Sequence, residues 1–145
     1  ESVVLPLEPD WVLLSLVGND VSQGISPSEF KLVLGDYAAR LYRKQGARTV
    51  FLGVYCDAPH KPPKMRWKRI ADHYAAFDAL AAEHPYVHFL DLWDVLGRQG
   101  RALERQCEAH TLFTGPDGHR NGIAHRMIAL EVLRAFGLVA PDPPK

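Results

Sequence analysis

Apolar and polar positions follow two rhythms along this chain. Trp11 to Val17 (WVLLSLV) is a nearly continuous apolar run, the pattern of a strand buried on both faces. The polar stretch Gly18 to Ser26 reads as a loop. The rhythm then changes to the i, i+3, i+4, i+7 stripe of a helix, with Phe30, Val33, Leu34, Tyr37, Ala38, Leu41 and Tyr42 on one side. Ser26 is placed to cap this helix, Pro27 suits its first turn, Glu29 complements its dipole, and Gly46 ends it.

Thr49 to Tyr55 (TVFLGVY) predicts a second strand. Asp57 to Lys64 contains Pro59, Pro62 and Pro63 and is not helical. A second helix is predicted over Met65 to Glu83, with Trp67, Ile70, Tyr74, Phe77 and Ala81 on its stripe. Tyr86 to Leu90 (YVHFL) predicts a third strand, and Asp91 to Leu96 and Ala102 to Ala109 read as short helical turns. The last helix is predicted over Asn121 to Phe136, closed by Gly137.

Alternating strands and helices imply an α/β fold: a three-layer α/β/α sandwich with a parallel sheet, flavodoxin-like in architecture. Sites in such sheets form in loops leaving the carboxyl ends of strands. Gly18 to Ser26, Cys56 to Lys64 and the stretch after Leu90 are such loops. Thr114 to Asn121 joins the same edge if the last helix runs back along the sheet.

Composition narrows the function classes. The chain has 145 residues, 47% hydrophobic and 23% charged, which suits one globular domain over 1–145 with loose ends at 1–8 and 140–145. No apolar run reaches the ~18 residues of a membrane span, so a soluble chain is expected. Its 17 basic and 17 acidic residues cancel, which argues against a nucleic-acid or membrane-surface binder. It begins with Glu1 and carries no signal-peptide pattern, as in a processed chain or a piece of a longer one. Cys56 and Cys107 form no CxxC motif and read either as buried thiols or as a disulfide.

No GxGxxG, P-loop or HExxH is present, so dinucleotide, nucleoside-triphosphate and zincin chemistry lack support. Cys107, His110, His119 and His125 match no standard zinc spacing, and no metal is expected. Lys61, Lys64, Arg66, Lys68 and Arg69 form a basic run around Trp67. They read either as a solvated face or as a polyanion patch, and the zero net charge favours the former. His84 and His88, flanking the third strand's start, read as surface or packing residues.

Two polar segments carry candidate chemistry. Gly18 permits a sharp turn after the first strand, and Asn19 can present its amide N–H there. The same residues are also ordinary turn formers. In Asp117-Gly118-His119, an extended backbone points both side chains to one side. A carboxylate there fixes the imidazole tautomer and leaves the other ring nitrogen as a base. The alternative is a surface turn with Asn121 as a helix cap.

Taken together, Pro9-Asp10 before the first strand, Gly18-Asn19-Asp20 after it, and Asp117 to Asn121 with Ala124-His125 resemble the SGNH, or GDSL, family of serine esterases and acyltransferases. The resemblance runs from about Pro9 to Phe136. It implies that Asn19, with Gly18, forms an oxyanion hole, and that Asp117 and His119 are the acid–base pair. Three departures stand out. The Gly-Asp-Ser block holding the nucleophile and the block with the oxyanion glycine are absent, as if the first strand and helix were missing. Val17 stands where the family has glycine. Asp117 and His119 are two apart rather than three; a spacing of three would fall on Arg120, which cannot act as a base.

No serine here fits the nucleophile. Ser15 reads as core, Ser26 and Ser28 as caps, Ser22 as loop, and Ser2 lies at a loose end. The expectation is ester hydrolysis through a serine acyl-enzyme, without cofactor. The serine would come from a preceding segment or a second chain, and the substrate would be a small-molecule or glycan ester. Acyl transfer to a sugar hydroxyl and a catalytically incomplete binding domain are the alternatives.

Overall fold

The computed structural model describes residues 5–53, 64–92 and 122–139, with backbone alone at 5 and 64–69. These residues belong to two compact units. The first takes in Glu1–Gly53 and Pro62–Asp91, the second Val54–Lys61 and Leu92–Lys145.

The first unit holds three strands, β1 (Trp11–Ser15), β2 (Arg48–Gly53) and β3 (Val87–Asp91), with α1 (Gly18–Gln23), α2 (Pro27–Gln45) and α3 (Lys64–Glu83). All strand pairs are parallel, in the order β1-β2-β3, with Leu14 opposite Phe51 and Phe51 opposite Phe89. The α/β class with a parallel sheet is thus the one the chain adopts. Right-handed crossovers that step the same way across a sheet place their helices on one face. Accordingly α2 packs on β2 and on α3, and α3 packs on β3.

The core lies under these helices. Phe77 of α3 stacks on Phe51 at a 4.6 Å centroid distance and meets Phe89 at 5.1 Å and Phe30 at 5.2 Å. Each such pair contributes roughly 0.5–1.5 kcal/mol beyond the area it buries. Gly53 closes β2 between rings: a Cβ there would stand 3.1 Å from Phe89 and from Tyr74. A second cluster joins Val12, Leu41 and Ala47, with Leu14 and Tyr37 against it.

The helix boundaries follow local chemistry. Ser26 Oγ accepts the Glu29 N–H at 3.2 Å, and Pro27 opens α2. Gly46 closes it at φ 72°, its N–H donating to Tyr42 O at 2.8 Å. The inward row of α2 is Phe30, Leu34, Ala38 and Leu41, with steps of four, four and three residues. Val33 and Tyr42, expected inward, are exposed instead. Tyr42 lies flat on Tyr86 at 4.3 Å. In α3, Ile70, Tyr74 and Phe77 are buried as expected, while Ala81 is only half-buried.

Three other expectations are corrected. The polar loop Gly18 to Ser26 contains a helix, α1. β1 stops at Ser15 rather than Val17, because the backbone turns sharply at Val17. β1 is not covered on both faces: Leu13 and Ser15 are exposed, so Ser15 is not core. It lies at the edge of the three described strands, and alternate side chains point away from α2. On that face Trp11 sits beside His88 at 5.4 Å and under the Arg48 guanidinium at 5.3 Å. Val50 and Leu52 lie on the same face and are buried.

In the second unit, α4 (Gly122–Ala135) ends in a Schellman closure. Gly137 at φ 68° donates to Arg134 O at 2.9 Å, and Leu138 N–H to Leu133 O at 2.9 Å. Glu131 and Arg134 pair along its surface. No helix among the described residues is long and apolar enough to cross a membrane.

Candidate active site

The carboxyl end of β1 is built by a tight reversal. Val17 is fully buried and adopts φ 98°, ψ −46°, a region open to glycine and strained for a β-branched residue. Such a conformation costs about 1–3 kcal/mol and persists only where its surroundings hold it. They do so here through α1. The Val17 N–H donates to Asp20 Oδ2 at 2.9 Å, and the Val17 carbonyl accepts the Val21 N–H at 3.0 Å. Asp20 at the third helical position also complements the positive end of the helix.

Six residues are too few for a helix to persist without support. Here the support is local and tertiary. Ser22 Oγ donates to Gly18 O at 2.9 Å. Gly24 at φ 77° closes the far end, its N–H donating to Val21 O at 3.2 Å and the Ile25 N–H to Asp20 O at 3.1 Å. The Val21 side chain is buried. His73 of α3, itself buried, bonds the Ile25 carbonyl through Nε2 at 3.1 Å and meets Phe30 edge-on at 4.9 Å.

Gly18 and Asn19 therefore stand together in the first turn of α1, immediately beyond β1. Asn19 is exposed, and its side chain makes no hydrogen bond among the described residues. A free amide N–H at this edge is a hydrogen-bond donor for a developing negative charge. Asp117 and His119 lie outside the described residues, as do Cys56, Cys107, His110, Lys61 and Ser2. The side chains of Lys64, Arg66, Trp67, Lys68 and Arg69 lie outside them too. His125 is exposed on α4. His84 is half-buried against Tyr86, and His88 is exposed beside Trp11, both packing roles as expected.

Of the described serines, Ser22, Ser26 and Ser28 have structural partners, and Ser15 is exposed at the end of β1. Ser26 caps α2 and lies 3.1 Å from Ser28 Oγ, and Ser22 bonds the α1 backbone. Among the described residues, no group of three His, Cys, Asp or Glu side chains converges on a metal position. A groove of about 520 Å³ runs between α2 and α3, lined by Lys31, Leu32, Gly35, Asp36, Leu80 and Glu83 among others, and does not include Gly18 or Asn19.

Two features escaped the sequence reading. Asp20 as a carboxylate reaching back to its helix start was signalled by an acidic residue at the third position of a short polar segment. His73 carried no such signal.

Comparison with known proteins adds the family context. The family model of the GDSL-like Lipase/Acylhydrolase family matches residues 2–121. No curated protein matches. Among solved structures, the chain is similar to LAE5, described as an alpha/beta hydrolase enzyme from the metagenome of Lake Arreo, Spain, with a TM-score of 0.73 and 22% identity. That likeness covers 95% of this chain and 64% of the other, so this chain spans less than two thirds of that protein's length.

Proposed function

Since the chain belongs to the GDSL-like lipase/acylhydrolase family, we propose that it supplies the oxyanion donor and the acid–base pair of a serine esterase acting on small-molecule or glycan esters. The observation that carries this reading is the exposed Asn19, held in the first turn of α1 at the carboxyl end of β1.

In the proposed cycle, a serine on a preceding segment or a second chain attacks the acyl carbon. His119 takes its proton and returns one to the leaving alcohol. Asp117 fixes the His119 tautomer and stabilises the imidazolium. The Asn19 amide and the Gly18 backbone donate to the tetrahedral oxyanion, whose charge is absent from the ground-state ester. Their contribution therefore falls on turnover more than on binding. Water then repeats the sequence on the acyl-enzyme, and no cofactor takes part.

Fluorophosphonate labelling of the intact preparation, followed by mass spectrometry under denaturing conditions, tests this. The expected result is one labelled serine outside Glu1–Lys145, with labelling abolished by His119→Ala. A label on Ser22, Ser26 or Ser28, or labelling indifferent to His119, overturns it.

A further inference from the structure

We propose that Asp20 is a positioning residue for the Asn19 donor, an inference that rests on the esterase reading above. Asn19 has no side-chain anchor among the described residues, so its direction is set by the backbone that carries it. That backbone leaves β1 through Val17 at φ 98°, which a valine does not hold unaided. The Asp20 carboxylate accepts the Val17 N–H at 2.9 Å and spans Gly18 and Asn19 to do so. The two residues read as the oxyanion donors thus sit inside a ring closed by one hydrogen bond.

Loss of this clamp lets Gly18 and Asn19 relax with Val17 toward ordinary backbone angles. A misplacement of about 1 Å at a catalytic group can cost roughly 10²-fold in rate. The required chemistry is hydrogen-bond acceptance rather than charge, which separates this role from an acid–base or field effect.

The test is a set of steady-state ester-hydrolysis measurements on the intact protein carrying its serine. Asp20→Ala is expected to lower kcat about ten- to a hundredfold with KM within about twofold. Asp20→Asn, whose amide oxygen still accepts from Val17, is expected to restore most of kcat. In an Asn19→Ala background, Asp20→Ala is expected to cost much less than it does alone, because only the Gly18 N–H remains to be positioned. Equal losses for Asp20→Asn and Asp20→Ala, or full additivity with Asn19→Ala, overturn the proposal. If Asn19→Ala leaves kcat unchanged, the esterase reading itself fails, a different outcome from an inert Asp20→Ala beside a damaging Asn19→Ala. Should Asp20→Ala not fold, amide exchange in the unaltered chain decides. A protected Val17 N–H is expected, and one exchanging as fast as an exposed amide overturns the clamp.

Discussion

His73 on α3 holds the carbonyl of Ile25, the residue just past α1, with its Nε2 3.1 Å from that oxygen. This contact ties a short surface helix to a long crossover helix, 48 residues apart in sequence. His73→Ala removes a buried ring that also packs on Phe30 and leaves a carbonyl without this partner. The expected loss is about 2–4 kcal/mol, read as a lower urea midpoint at unchanged slope.

Val17 offers a direct test of backbone strain. Glycine is ordinarily about 0.5–1 kcal/mol worse than alanine in regular structure. At φ 98° the order reverses, because alanine keeps the Cβ that the conformation disfavours. Both variants lose the buried valine side chain, so both are less stable than the parent. Val17→Gly is nevertheless expected to match or exceed Val17→Ala in denaturant unfolding; a clearly less stable glycine variant would mean the turn is unstrained.

Gly53 answers to sterics rather than to torsion. An added Cβ would stand 3.1 Å from the rings of Phe89 and Tyr74, which are themselves packed at 5.5 Å. Neither is the loose end of a flexible side chain. Gly53→Ala is expected to cost about 1–3 kcal/mol through overpacking. Thermal unfolding checks it, and an unchanged midpoint would show that the rings give way.

The proposed reaction carries its own pH signature. An imidazole base must be neutral to accept the serine proton, so kcat/KM is expected to rise between pH 5 and 8 as His119 loses its proton. A flat profile over that range would remove His119 from the role. In the same assay, Asn19→Ala is expected to lower kcat by about 10²–10³-fold while KM changes little.

Much of this architecture is legible in the residues, for reasons specific to each element. Ser26-Pro27 and Gly46 mark α2 because capping and left-handed closure are decided within a few neighbouring residues. β2 is legible in its unbroken apolar run because nearly all its side chains are buried. α1 is not, since six residues contain too little period to reveal a helix and Gly-Asn-Asp resembles a turn. Its formation depends on Asp20 reaching Val17 and on Val21 finding a buried place, neither of which spacing alone discloses. Val33 and Tyr42 were misread because a stripe permits both i+3 and i+4 neighbours. The buried row takes Leu34 rather than Val33 after Phe30, and Leu41 rather than Tyr42 after Ala38, with Leu41 packed beside Val12 and Ala47. Asn19 was legible as a residue type in a place, whereas the clamp that aims it is a three-dimensional fact.

The position of Phe77 has a consequence for how this unit comes apart. Its ring touches Phe30 of α2, Phe51 of β2 and Phe89 of β3, so elements from both crossovers lean on one side chain. Peeling away any one of them wets the same ring and weakens the hold on the others. The two crossovers are therefore expected to melt together, and the end of α1, tied to α3 through His73 and Ile25, would lose that tie in the same event.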